Sequence, residues 1–156
     1  MPTILPPWPH LLFGILEPIS LVAGSLAPLQ DLNYFIAGQT PHASPPPVLH
    51  PSSIALAYQV ANLYSSLFLV GVGVLHTTTE PKVIRNYMIG LAIADVGHVY
   101  ATYLGMGWES FADIGAWNAL TWGNIGVTSF IFINRIAYLA GLFGPAKAPK
   151  VTSKNE

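Results

Sequence analysis

Three charged side chains stand where charge is least expected. Glu17, Asp95 and Arg135 each fall inside a run of otherwise apolar residues. With a helical rise of about 1.5 Å per residue, Glu17 lies about 10 Å and Asp95 about 15 Å into their runs, and Arg135 lies about 12 Å from the same end. All three therefore fall toward the middle of an apolar layer about 30 Å thick. An ionised group at that depth costs roughly 2.5 to 3.5 kcal/mol on insertion scales and persists only if it is paired, protonated or used. Glu17 and Arg135 are matched in depth and are candidates to meet. As a structural pair they would fix helix register, and as a functional pair they would hold a carboxyl group ready for proton transfer.

Asp95 and His98 are three residues apart, which places them on adjacent turns of one helix face. A carboxyl and an imidazole at that spacing can share a proton, one donating and the other accepting, which makes a general acid-base unit. The competing reading is a polar clamp on a neighbouring helix. One histidine and one carboxylate are too few for zinc, and no second Glu-x-x-His occurs for a di-iron site, so no metal is expected. Further polar groups recur at helical spacing: Gln59, Asn62 and Ser66 on one segment, and Trp117, Thr121, Asn124, Thr128 and Arg135 on another. Two such stripes imply helices that face each other or a cavity. Tyr100 and Trp122 sit deep enough to line a pocket or stabilise a cation, with core packing as the alternative. Gly90, Ala94, Gly97, Ala101 and Gly105 form a small-residue stripe that predicts close helix packing. Trp8, Trp108 and Trp117 fall near segment ends, where tryptophan anchors at an interface.

The segments that carry these residues are apolar. Of 156 residues, 52% are hydrophobic and only 8% are charged, and the mean hydropathy is +0.50. A water-soluble surface carries about a quarter charged residues, so the bilayer is the expected solvent. The formal net charge of -1 and the lack of a basic run exclude a nucleic-acid partner. Without cysteine there is no disulfide or thiolate site to consider. Four stretches suit spanning helices, at 10–29, 54–75, 83–104 and 117–143. The first is interrupted by Glu17-Pro18, a kink that membrane helices tolerate when the freed backbone group finds another partner. Nothing in the first nine residues marks a cleaved leader, so this segment is expected to be retained. The fold predicted is an all-α, four-transmembrane-helix bundle over residues 1–144. A proline-rich loop at the membrane surface joins its first two helices at 30–50, and residues 145–156 are expected to be a disordered tail. Lys82, Arg85, Lys147, Lys150 and Lys154 share one side, whereas 30–50 and 105–116 have no Lys or Arg. Both termini are therefore expected in the cytoplasm.

Leu16-Glu-Pro-Ile-Ser20, Ala61-Asn-Leu-Tyr64, Ala94-Asp-Val-Gly-His-Val-Tyr100, Trp122-Gly-Asn124 and Arg135-Ile-Ala-Tyr-Leu-Ala-Gly141 resemble small four-helix membrane proteins of filamentous fungi. The likeness covers nearly the whole chain except the proline-rich loop and the lysine-bearing tail. It extends to membrane-bound epoxide hydrolases and cyclases encoded beside polyketide and meroterpenoid synthases. That resemblance implies an epoxidised polyketide or prenyl substrate, no cofactor, and a home in the endoplasmic reticulum. Epoxide opening requires an acid for the ring oxygen and a base for the incoming hydroxyl or water. Asp95 with His98 is expected to supply one role and Glu17 the other, in a pocket open toward the lumenal half. Gln59, Asn62 and Asn124 would orient oxygens, and Tyr100, Trp122 and Arg135 would complete the substrate site. The partners expected are a lipophilic small molecule and membrane lipid, with self-association left open. Two rival functions remain: a non-catalytic lipid- or sterol-binding protein, and a structural membrane subunit whose buried charges fix helix register.

Overall fold

A computed structural model describes residues 3–41, 43, 44, 46 and 48–144. The expected tail at 145–156, with its three lysines, lies outside the described residues, as do Pro45 and Pro47 of the loop. Every regular element among the described residues is helical. Four long helices account for most of them: α1 (Pro7–Gln30), α3 (Pro51–Thr77), α4 (Pro81–Ala112) and α5 (residues 119–139). Between α1 and α3, where only a loop was expected, a short α2 (Leu32–Ala37) forms. The Asp31 carboxylate caps it by accepting the Tyr34 amide at 2.8 Å.

Proline opens α1, α3 and α4, at the one turn where a missing N–H costs nothing. His50, Glu80 and Asn118 cap α3, α4 and α5 by accepting amides of the first turn. The helices begin two or three residues before the expected spans, except that α5 starts at 119 because Asn118 is its cap. α4 runs further than expected and bends at Gly107, whose φ of 75° is open to glycine and strained for other residues.

The interruption at Glu17-Pro18 is resolved as membrane helices require. A π-helical stretch, Leu12–Leu16, precedes Glu17. Pro18 cannot donate to the Gly14 carbonyl four residues back, and His76 Nε2 of α3 donates to that carbonyl at 2.9 Å instead. A Cβ at Gly14 would press on the His10 ring at 3.0 Å, while it would meet the His76 ring at an ordinary contact distance of 3.6 Å.

α1 packs chiefly on α3, and α4 chiefly on α5. At the end where α3 turns into α4, the pairs close around a core of Leu5, Leu12, Phe13, Leu75, Ile84 and Met88. Above this core the pairs part and leave a cavity. Two of the helices, α1 and α3, are long and apolar enough to cross a membrane. Their apolar residues are mostly not buried inside the protein, and α4 and α5 likewise turn Ile93, Leu104 and Ile133 outward. Apolar surface on this scale supports association with a membrane. The stripe of Gly90, Ala94, Gly97, Ala101 and Gly105 is not the packing face expected of it. All five are exposed, and a Cβ at Gly90, Gly97 or Gly105 would meet nothing. α4 instead buries Ile84, Met88 and Ala92.

Candidate functional site

Arg135 is fully buried, and its guanidinium joins three helices. Nη2 donates to Glu17 Oε1 of α1 at 2.7 Å, and Nε donates to Asp95 Oδ2 of α4 at 3.0 Å. Nη1 points to Met88 Sδ at 3.4 Å, and the cation lies 4.9 Å above the Phe13 ring. Nε and Nη2 are neighbouring donors on one edge of the planar group, an edge that a single carboxylate usually occupies alone. Here two carboxyl groups divide it and so stand side by side. The expected meeting of Glu17 and Arg135 is present, and Asp95 joins it.

This cluster contains two acids and one base. In an apolar surrounding, charge balance is reached when one proton is shared between the two carboxyl groups, as in other adjacent carboxyl pairs. Both line the floor of a cavity of about 520 Å³, which extends toward the end of the bundle bearing α2. Tyr64, Leu67, Leu91 and Ile131 form its walls. Such a volume and such mostly apolar walls suit a lipophilic small molecule.

The roof is polar. His98 Nε2 donates to Asn124 Oδ1 at 3.3 Å, Asn124 Nδ2 donates to Gln39 Oε1 at 2.9 Å, and Gln39 Nε2 donates to the Phe35 carbonyl at 3.0 Å. Asn118 Nδ2 donates to the Gly38 carbonyl at 3.0 Å and ties α2 to the start of α5. A second π-helical stretch, Trp122–Val127, contains Asn124. π-bulges often accompany functional positions, and here one precedes Glu17 and the other carries Asn124.

Glu17, Asp95, His98 and Asn124 thus share one cavity, as the spacing of their helices suggested. The Asp95-His98 proton-sharing pair does not form: the partner of Asp95 is Arg135, and His98 is hydrogen-bonded to Asn124. Arg135 lies behind the carboxyl groups and is fully buried rather than on the cavity wall. Gln59 and Asn62 are exposed on the far side of α3, because that helix turns Ala57, Ala61, Gly71 and Leu75 inward. Tyr100 lines a separate groove of about 320 Å³ between α4 and α5, with Tyr103, Phe111 and Phe132. Asp95 lines that groove too. Trp122 is 48% exposed and packs edge-on against Trp117, outside the cavity. Trp8 does more than anchor an end, because its Nε1 donates to Asn134 Oδ1 at 2.9 Å and fastens α1 to α5.

Gln39, Tyr64 and Tyr87 also line the cavity and were not anticipated. Gln39 lies in a proline-rich stretch without periodicity. The one signal that could have placed it is Asp31 ahead of Leu32-Asn-Tyr-Phe-Ile-Ala37, a capping residue before an apolar turn.

The family model described as domain of unknown function (DUF7704) matches residues 2–145. The chain belongs to the DUF7704 family. No match was found among curated proteins or solved structures. The polar cluster of this DUF7704 chain is therefore read from its own geometry.

Proposed function

We propose that this DUF7704 protein is a four-span membrane enzyme that opens an epoxide in a lipophilic substrate by general acid-base catalysis. The observation that carries the reading is the pair of carboxyl groups dividing one edge of Arg135 at the floor of an apolar cavity. The protonated member gives its proton to the ring oxygen as the carbon–oxygen bond breaks. Water, or a hydroxyl of the substrate, forms the new bond to carbon and loses its proton to the other member. Each turnover moves one proton from acid to base, and return across the shared guanidinium edge resets the pair. His98 and Asn124, in the polar roof above the carboxyl pair, hold the nucleophilic oxygen. Attack by water gives a diol, and attack by an internal hydroxyl gives a ring.

Support for four spans comes from the outward apolar faces of α4 and α5 together with the two spans of α1 and α3. The distribution of Lys and Arg favours cytoplasmic termini. An epoxidised prenyl or polyketide chain made in the endoplasmic reticulum fits the size and polarity of the cavity.

The test is turnover of a terminal epoxide on a farnesyl chain by purified protein in detergent. Asp95→Asn and Glu17→Gln keep an oxygen acceptor for Arg135 and remove the proton. Each should lower the rate by roughly two to four orders of magnitude while helicity is retained. Parent-like rates in either variant would remove that carboxyl from the mechanism. Saturable binding of farnesyl and polyketide epoxides without turnover by the parent protein would favour lipid binding instead.

A further inference from the structure

α3 has two faces of different character. Ala57, Ala61, Gly71 and Leu75 are buried against the rest of the chain. The opposite face carries Ala55, Gln59, Asn62, Ser66, Leu69 and Gly73, and all six are exposed. Their spacing alternates four and three residues over the whole helix. That is the 3.5-residue period of a left-handed helix-helix seam, and it exceeds what a single polar position would show. The seam is small or polar at five of its six positions, unlike the neighbouring exposed Leu56 (61%) and Leu63 (55%). Neither the Gln59 nor the Asn62 amide finds a side-chain hydrogen-bond partner among the described residues. The Ser66 hydroxyl is turned inward onto the Asn62 carbonyl of its own helix at 2.9 Å.

Depth makes this arrangement consequential. α3 has 27 residues, hence a length of about 40 Å, and Asn62 lies about 17 Å from its start. Both amides would face hydrocarbon where no water can satisfy them, a position that polar side chains hold when another helix supplies their partners. An amide donates and accepts at once, so it is complementary to a copy of itself. Across a two-fold axis along the membrane normal, Asn62 meets Asn62 and Gln59 meets Gln59, while Ala55, Ser66 and Gly73 let the backbones approach.

We propose that the Ala55–Gly73 face of α3 is the interface of a parallel homodimer within the membrane, its occupant being α3 of a second copy. The proposal rests on α3 lying in the membrane and is independent of epoxide chemistry. The chain has no cysteine, so single cysteines report contacts without background. In phosphatidylcholine vesicles, mild oxidation should cross-link Ala55→Cys, Asn62→Cys, Ser66→Cys and Gly73→Cys into dimers. Leu56→Cys and Leu63→Cys, exposed but off the seam, should remain monomeric. The double variant Gln59→Leu with Asn62→Leu removes no side-chain hydrogen bond among the described residues, and should raise the dimer dissociation constant about tenfold or more in a vesicle energy-transfer assay. A monomeric parent protein, or cross-linking at Leu56→Cys and Leu63→Cys equal to that on the seam, would overturn the proposal.

Discussion

Replacing Arg135 by methionine removes the cation and keeps most of the side-chain volume. The guanidinium is fully buried, makes charge-assisted hydrogen bonds of 2.7 and 3.0 Å, and lies 4.9 Å over the Phe13 ring. Its loss leaves two adjacent carboxyl groups without a counter-charge, and removing one partner of a buried pair typically costs about 3 to 5 kcal/mol. At about 1.4 kcal/mol per tenfold change, the ratio of folded to unfolded protein should fall by roughly two to three and a half orders of magnitude. Adding Glu17→Gln and Asp95→Asn should recover most of that loss. Two neutral amides side by side can donate to and accept from each other, and no charge is then buried alone. Arg135→Lys should fall between parent and methionine variant, because one ammonium lacks the flat two-donor edge that both carboxyl groups use. The assay is the fraction of detergent-solubilised protein that still elutes as a single sharp peak after a graded heat step. If the single, double and triple variants lose stability additively, the three side chains do not act as a unit, and the shared-edge geometry is refuted.

Three other expectations follow from the same contacts. His76→Phe keeps a ring beside His10 but strips the Gly14 carbonyl of its donor, and should destabilise the protein by about 1 to 3 kcal/mol in thermal unfolding; parent-like stability would mean that another group satisfies that carbonyl. Gln39→Ala cuts the link from α2 to Asn124, so amide hydrogen exchange across Leu32–Ala37 should quicken while exchange in α3 is unchanged. Unaltered exchange would show that the Gln39 link does not hold α2 in place. Tags placed before Met1 and after Glu156 should both be digested by protease added outside sealed microsomes, and protection of either would reverse the charge-based orientation.

The long helices were legible because each is a long apolar run bounded by proline, glycine or a capping residue, signals that act locally and survive without knowledge of the partner helix. The buried charges were legible for a related reason. Their cost in an apolar medium is high enough that depth alone pairs Glu17 with Arg135. Which acceptors a guanidinium takes is a different matter, because it has five donors and its partners depend on how helices rotate about their axes. Asp95 looked toward His98 because both share a helix, yet rotation of α4 sends the carboxyl to Arg135 and leaves the imidazole to Asn124.

The same ambiguity explains the misplaced stripes. Polarity on one side of a helix says that the side avoids lipid, without saying whether it faces a cavity of its own chain or another molecule. For Asn124 the answer is the cavity. For Gln59 and Asn62 the inward face was already occupied by Ala57 and Ala61, and on the same helix the Tyr64 ring lies so close to α1 that a Cβ at Gly24 would come within 3.0 Å of it. Small residues therefore line the inward face of α3, while on α4 the glycines of a similar stripe, Gly90, Gly97 and Gly105, face open space. Helix periodicity fixes which residues share a face. Which neighbour that face meets is decided by competition among all the faces of the bundle.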